Sequence, residues 1–247
     1  MRNRAMATYV MSDIHGEYEK FIDLLDKIEL KDTDTLYVLG DIVDRGLHPI
    51  QVIQKLMLMP NVICLVGNHE LMALENLEFL MQEVTSDTIN KLNEDMLEGL
   101  LVWRDVNGGQ TTINEFRTLN KEGQREVIEF LRELYVYEEI CVEGKDYILV
   151  HAGLGGYNAE KSLEDYSLKE LLWDRADYNI MYDRDKYVVT GHTPTQYILE
   201  NPKPGYIYKH NHHIAIDCGA YLKDGRLAAI CLETGREYYS FSNNVNS

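Results

Sequence analysis

Five apolar runs in this chain each end in residues able to bind a metal ion or move a proton. Tyr9 to Met11 runs into Ser12-Asp13-Ile14-His15, and Leu36 to Leu39 runs into Gly40, Asp41, Asp44 and Arg45. Val62 to Val66 leads to Gly67-Asn68-His69-Glu70, Tyr147 to Val150 to His151-Ala152-Gly153, and Tyr187 to Thr190 to Gly191-His192-Thr193-Pro194. Charged groups at the end of a buried strand are costly unless something compensates them. The shared pattern predicts that these ends converge on one site.

The residue types suggest the chemistry. Asp13 and His15 are two apart just beyond a strand, and in extended backbone such residues point the same way. Both can therefore reach one ion. Asp41 has two oxygens and can bridge that ion to a second, which Asn68, His151 and His192 would complete. A mixed nitrogen and oxygen set without thiolate suits Mn²⁺, Fe or Zn²⁺ better than Ca²⁺. Two divalent ions against two carboxylates leave the site net positive, which favours an anionic substrate. Paired metals about 3.5–4 Å apart can activate a water and clamp a phosphoryl oxygen during in-line displacement. His69 is a candidate general acid for the leaving oxygen. Asp44 could hold one of its ring nitrogens and favour the imidazolium. Arg45 and Arg175 offer planar forks for phosphate oxygens. His48, His210, His212 and His213 lie outside any motif and are read as surface or structural residues.

The elements that must position these groups follow from periodicity. Thr8 to Ser12 reads as a strand, and Glu17 to Ile28 as a helix carrying Phe21, Leu24, Leu25 and Ile28 on one stripe. Pro49 suits the first turn of a helix with Ile50, Ile53 and Leu56 inward. Strand–helix–strand–helix–strand, with a motif after each strand, predicts an α/β sheet whose ligand lies outside the carboxyl ends of its strands. From Glu70 to about Glu98 the pattern becomes helical. Thr111 to Leu119 is ambiguous, and Lys121 to Leu134 reads as an amphipathic helix. The second half reads mostly as strands: Tyr135 to Val142 and Tyr147 to Val150 about a turn at Glu143-Gly144, then Tyr206 to Tyr208, His213 to Asp217, Leu227 to Leu232 and Tyr238 to Phe241. A short helix is expected over Ser167 to Leu172. The final SNNVNS is expected to fray.

Composition narrows the class. The chain has 247 residues and a formal net charge of -17. No basic field is available to draw in a nucleic-acid backbone or an anionic membrane. The scattered Cys64, Cys141, Cys218 and Cys231 form no CxxC, so buried free thiols are expected, most clearly at Cys64 and Cys141. MRNRAMATYV has no apolar core of a signal peptide, and no uncharged stretch is long enough to span a bilayer. The expected location is cytoplasmic.

Together, SDIHG at 12–16, GDIVDRG at 40–46, GNHE at 67–70, HAG at 151–153 and GHTP at 191–194 resemble the phosphoprotein phosphatase branch of the calcineurin-like metallophosphoesterases. The resemblance implies an α/β, four-layer fold of two mixed β-sheets packed face to face with helices outside. It implies one domain over residues 1–247 with an inserted helical cap at about 71–134. It places Asp13, His15 and Asp41 on one metal, and Asp41, Asn68, His151 and His192 on the other. It makes His69 and Asp44 the acid pair and sets Arg45 and Arg175 on phosphate. Trp103, Asn107-Gly108-Gly109-Gln110-Thr111 and Leu172-Trp173-Asp174-Arg175 are most similar to the small bacterial and phage-lambda type of protein phosphatase. Asp217-Cys218-Gly219 departs from the late Tyr-Cys pair of the eukaryotic catalytic subunits.

The first expectation is therefore a manganese-dependent phosphatase that hydrolyses phosphoserine and phosphothreonine monoesters by attack of a hydroxide held between two metals. Its partner would be a phosphorylated protein or a small phosphoester. The LWDR run also resembles diadenosine tetraphosphate hydrolases, so cleavage of a dinucleoside polyphosphate is the alternative. A scaffold that keeps the fold without catalysis is a third reading, disfavoured because every proposed ligand is present.

Overall fold

A computed structural model of the protein describes residues 6–82 and 93–242. Within them the strands are β1 (Thr8–Met11), β2 (Thr35–Val38), β3 (Val62–Cys64), β4 (Tyr137–Val142), β5 (Lys145–Val150), β6 (Lys186–Thr190), β7 (Tyr208–His210), β8 (His213–Ala215), β9 (Ala228–Cys231) and β10 (Glu237–Tyr239). The helices are α1 (Tyr18–Ile28), α2 (Pro49–Met57), α3 (Asn68–Met81), α4 (Glu94–Leu101), α5 (Gln110–Phe116), α6 (Lys121–Arg132) and α7 (Leu168–Leu172). The strands form two mixed five-stranded sheets, ordered β10-β9-β1-β2-β3 and β4-β5-β6-β8-β7.

Alternation along each strand decides what each face meets. Val10, Tyr37 and Leu39 of the first sheet pack against Tyr147, Leu149, Val189 and Ile214 of the second. Their neighbours Tyr9, Met11, Leu36 and Val38 turn to the other face and meet Phe21, Leu24 and Ile28 of α1 and Ile50 and Ile53 of α2. Beyond the second sheet, Ile148, Val150 and Val188 pack on Leu171 and Leu172 of α7. Burial on both faces is why these strands read as unbroken apolar runs.

Register brings the motif loops level. β1 and β2 are parallel with Met11 opposite Val38, and β2 and β3 are parallel with Val38 opposite Cys64. In the second sheet Leu149 lies opposite Val189 and Thr190 opposite Ala215, again in parallel. The chain therefore leaves both sheets at one end, carrying Asp13, Asp41, His151, His192 and Asp217.

Several expectations are refined. Thr111 to Leu119 resolves as α5 and a turn. β4 starts at Tyr137, with Tyr135 making only a single parallel bridge to Leu65. The later strands are shorter than the apolar runs, and β7 begins where the expected Tyr206–Tyr208 strand ends. Pro49 does occupy the first turn of α2, and Ser167 caps α7 with its hydroxyl accepting from Glu170 N. Cys141 corrects the buried-thiol expectation: β4 is an edge strand and Cys141 points outward, exposed, whereas Cys64, Cys218 and Cys231 are buried free thiols. His213 is buried and donates from Nε2 to Ile180 O at 2.8 Å. Residues 243–247 of the tail expected to fray, and 83–92 of the helical region, lie outside the described residues. No helix among the described residues is long and apolar enough to cross a membrane.

One buried carboxylate ties two motif loops together. Glu70, fully buried in the first turn of α3, accepts from Asp41 N at 2.7 Å, Ile42 N at 2.7 Å, Val43 N at 3.1 Å and Gly67 N at 2.8 Å. A carboxylate supplies only acceptors, so it can satisfy all four donors at once. Burial, and after it Asp41, raise Glu70 to about 7, so the charge is complete only above that pH; at about pH 8, Glu70→Gln puts an amide N–H against some of these donors and removes the charge. The expected loss is about 3 kcal/mol of unfolding free energy in urea titrations; a loss under about 1 kcal/mol would show that the loops hold their shape without it.

Candidate active site

The site is built on strained backbone. Asp13, His15, Asp41, Asp44, Arg45 and His192 all have φ between 47° and 69°. This left-handed region costs a non-glycine residue about 1–2 kcal/mol. The strain is held by cross-loop hydrogen bonds: Asp13 N to Gly40 O at 3.0 Å, His15 N to Asp41 O at 2.8 Å and Arg45 N to Gly108 O at 3.1 Å. Tight approach of the loops needs glycine at two places in particular. A Cβ on Gly67 would lie 2.6 Å from Asp41 N, and one on Gly191 would overlap Ser12 Oγ and the Asp13 carboxylate.

Two ligand groups share one carboxylate. His15, Asp41 and His69 place donor atoms within 4.8 Å of one another, and so do Asp41, His151 and His192. Asp13 completes the first region, with Oδ1 4.0 Å from His15 Nε2. Asn68 joins the second, its Oδ1 3.0 Å from both His151 Nε2 and His192 Nδ1. The six sequence-predicted ligands are thus brought together. His69 lies within reach of the first group, but both its nitrogens are engaged: Nδ1 donates to Asp44 Oδ2 at 2.7 Å, and Nε2 accepts from Arg45 Nη2 at 3.0 Å.

Hydrogen bonding at the rear of two rings fits cation binding in front. His15 Nδ1 donates to Val43 O at 3.0 Å, and His151 Nδ1 donates to Leu39 O at 2.7 Å. Each Nε2 is therefore left with a lone pair. His151 Nε2 faces Asn68 Oδ1 and, at 3.4 Å, Asp41 Oδ1; His15 Nε2 faces Asp41 Oδ2 at 3.5 Å. Asp41 Oδ1 also accepts from His69 N at 3.1 Å, but the acceptors that face one another across this buried site call for a cation between them. The donor set fits a divalent ion at each position.

Titration behaviour follows from this crowding. Burial lowers His15 well below the usual histidine range, with His69 nearby adding to the effect. Burial, helped by His151 and Arg175, brings His192 down to about 4, so its ring is neutral, as a ligand must be. Burial alone would raise Asp41, but the rings of His151, His69, His15 and His192 outweigh it and lower the carboxyl. His69 moves the other way: burial pulls it down, yet Asp41 and the hydrogen-bonded Asp44 prevail and raise it.

Arg45 is half-buried, its guanidinium 4.1 Å over the Tyr221 ring, which in turn meets His15 edge-on at 5.0 Å. Arg175 is exposed and is felt electrostatically at His192. Sequence reasoning assigned no site role to three contributors. Asp217, fully buried beside Asp13, is raised to about 7 by burial first and then by Asp41. Trp103 and Thr112 both donate to Asp44. Asp217 was visible as a charge ending an apolar run, the same signal that marked the other motif loops.

Burial, Asp217 and Asp41 also raise Asp13. A carboxyl raised in the fold binds more protons folded than unfolded, so without cations the fold loses stability as pH climbs from the ordinary carboxylate range toward about 7. Bound cations replace those protons. The gain in melting temperature on adding Mn²⁺ should therefore be larger at about pH 8 than at about pH 5. Equal gains in thermal melts at both values would show that these carboxyls do not face the ions.

Residues 6–231 match the family model for calcineurin-like phosphoesterases. A symmetrical bis(5'-nucleosyl)-tetraphosphatase of Salmonella paratyphi A is 37% identical over 91 residues, covering 36% of this chain and 32% of that protein. The match thus spans about a third of the length of the curated relatives. Among solved structures, a candidate diadenosine tetraphosphatase superposes over 99% of this chain and 97% of its own, with a TM-score of 0.66 and 17% identity. A serine/threonine phosphatase from Saccharomyces cerevisiae, similar to human PP5, covers 97% of this chain and 81% of its own, with a TM-score of 0.56 and 15% identity. These two structures bear on the fold. With the family match running from before β1 to the end of β9, the chain belongs to the calcineurin-like phosphoesterases.

Proposed function

We propose that this site hydrolyses a phosphoanhydride bond of a dinucleoside polyphosphate. The observation that carries the hydrolytic part is the Asp41 carboxylate shared by two buried ligand groups. The substrate class is supported by the 37% identity to symmetrical bis(5'-nucleosyl)-tetraphosphatase. The first sequence expectation, a phosphoserine or phosphothreonine monoester, is the second reading. The buried Asp44–His69 pair favours it, because a proton donor matters most when the leaving group is an alkoxide.

Divalent cations, manganese by preference and iron or zinc by ligand type, held by Asp13, His15 and Asp41 and by Asp41, Asn68, His151 and His192, would supply positive charge and acidify water. The chain's own residues do the rest. Asp44 holds the Nδ1 proton of His69 and fixes the ring, leaving Nε2 for the leaving oxygen. Arg45 Nη2 donates to that nitrogen at 3.0 Å. When Arg45 turns to the phosphoryl oxygens, a stronger partner for guanidinium, Nε2 is released. Arg175 meets the same oxygens from the His192 side. Nε2 then takes up a proton from solvent, which the raised pKa of His69 favours; water adds to phosphorus and gives up a proton, the P–O bond to the leaving group breaks, and the leaving oxygen takes the Nε2 proton. A net charge of -17 works against the extended backbone of a nucleic acid or an anionic membrane, whereas a small anion or a phosphorylated side chain need only reach the local positive charge that bound cations would supply.

The test is a side-by-side assay of a dinucleoside tetraphosphate and a phosphoserine peptide on one manganese-loaded sample with its metal content measured. Faster turnover of the dinucleotide is expected; cleavage of the peptide alone would reverse the order of the two readings. His69→Asn should keep its metal and lose about 100-fold in kcat on an alkyl phosphate, but less on the dinucleotide, whose leaving oxygen is far less basic. Equal activity of variant and wild type on the alkyl phosphate would remove His69 from the acid role.

A further inference from the structure

The helical region between α3 and β4 reaches Asp44, and what it does there is specific. α4 does not end in an ordinary cap. It continues into a π-helical turn, Val102–Val106, that turns Trp103 inward. Such widened turns often occur at functional positions. Trp103 is fully buried, and its Nε1 donates to Asp44 Oδ2 at 2.8 Å. Nine residues on, at the start of α5, the fully buried Thr112 donates from Oγ1 to Asp44 Oδ1 at 2.6 Å and accepts from Asp44 N at 3.0 Å. The intervening loop is shaped for this: Gly109 lies against the indole, where a Cβ would be 2.7 Å from Nε1, and Gly108 O accepts from Arg45 N.

Asp44 itself is wholly buried. Its side-chain acceptors face Trp103, Thr112 and His69. Two of these three donors come from the helical region and one from the core motif. Trp103 and His69 share Oδ2, so the indole sets where that oxygen sits and thereby the direction in which His69 presents Nε2. Thr112 holds Oδ1 and the Asp44 backbone together, which stops the carboxylate rotating.

We propose that Trp103 and Thr112 are positioning residues that fix the Asp44 carboxylate, and through it the orientation of His69, so that the helical region sets proton donation to the leaving group rather than merely covering the site. This rests on the reading of His69 as the acid. Neither residue touches the ligand groups, so their effect should fall on leaving-group dependence and leave metal binding alone.

The test compares Thr112→Val, Thr112→Ser and Trp103→Phe with the wild type, all manganese-loaded, on para-nitrophenyl phosphate and on a phosphoserine peptide. Loss of one hydrogen bond should lower kcat on the alkyl ester about tenfold more than on the aryl ester, whose leaving group needs little help. Thr112→Ser should restore the wild-type ratio, and metal content should not change. Independently of turnover, the His69 Nδ1 proton should be visible by NMR in metal-free wild type labelled at histidine nitrogen, and broadened by exchange in Thr112→Val. Should Trp103→Phe fail to fold, Thr112→Val, close in shape to the native residue, decides the question. An unchanged alkyl-to-aryl ratio, or equal losses on both esters, in a cooperatively melting Thr112→Val would overturn the proposal. So would an unaltered Nδ1 resonance. A wild type inactive on every phosphate would instead remove the hydrolase reading, and the NMR comparison would still decide whether Thr112 holds the ring.

Discussion

Asp13, Asp41, Asp44, Glu70 and Asp217 are all buried within one end of a protein that is already strongly acidic. Removing that much negative charge from water is the constraint the rest of the arrangement serves. Each carboxylate is compensated differently. Glu70 is wrapped in backbone N–H groups, Asp44 in side-chain donors, and Asp41 in imidazoles. Asp13 accepts from His192 N and from Ser12 Oγ, yet it lies beside Asp217, and both of these carboxyls, like Glu70 despite its N–H groups, are raised. That shortfall in positive charge is located where acceptor atoms of two ligand groups face one another.

The parallel strands explain how such a cluster can be assembled at all. Crossovers through α1 and α2 return the chain so that successive strands end at the same edge. The second sheet does the same with β5, β6 and β8. Loops from opposite sheets must then pass within hydrogen-bonding range of each other, and the left-handed residues are the cost of those sharp turns. A positive φ at Asp13, His15, Asp41 and His192 is thus tied to the placement of the candidate ligands, while at Asp44 and Arg45 it brings both side chains onto the His69 ring.

The parts of this arrangement carried by contiguous residues were legible beforehand. A buried strand followed at once by Asp-x-His, or by Gly-Asn-His-Glu, announces itself because the strand and its ligands are neighbours in the chain. The sheets were legible for the same reason: runs such as Leu36–Leu39 are apolar on both faces. What escaped depends on contacts across the chain. Trp103 looks like any core tryptophan until its indole is found on Asp44, fifty-nine residues away. Glu70 reads as the end of a motif, and only the fold reveals that it joins two loops. Cys141 was misread because apolar character alone does not distinguish an edge strand from a central one. The segment after Asn107-Gly108-Gly109 is ambiguous in the sequence because α5 is short and its residues Thr111, Thr112 and Asn114 have weak helical preference.

The hydrogen bonds that shape the site also cross the seam between the sheets. His151, which follows β5, donates to Leu39 O beyond β2, and the His192 amide after β6 donates to Asp13 beyond β1. These bonds rivet one layer to the other at the site end of the sandwich; β7, with the residue before it, and β10 add polar links of their own, Lys209 Nζ to Glu237 Oε1 at 2.7 Å and Ile207 N donating to Tyr239 Oη at 3.2 Å, and between these links the layers meet through apolar side chains. Relative movement of the layers at the site end therefore requires these bonds to break. An event that loosens them displaces His151 and His192 from the opposite sheet at the same moment, so that mechanical coherence and chemical competence at this end rise and fall together.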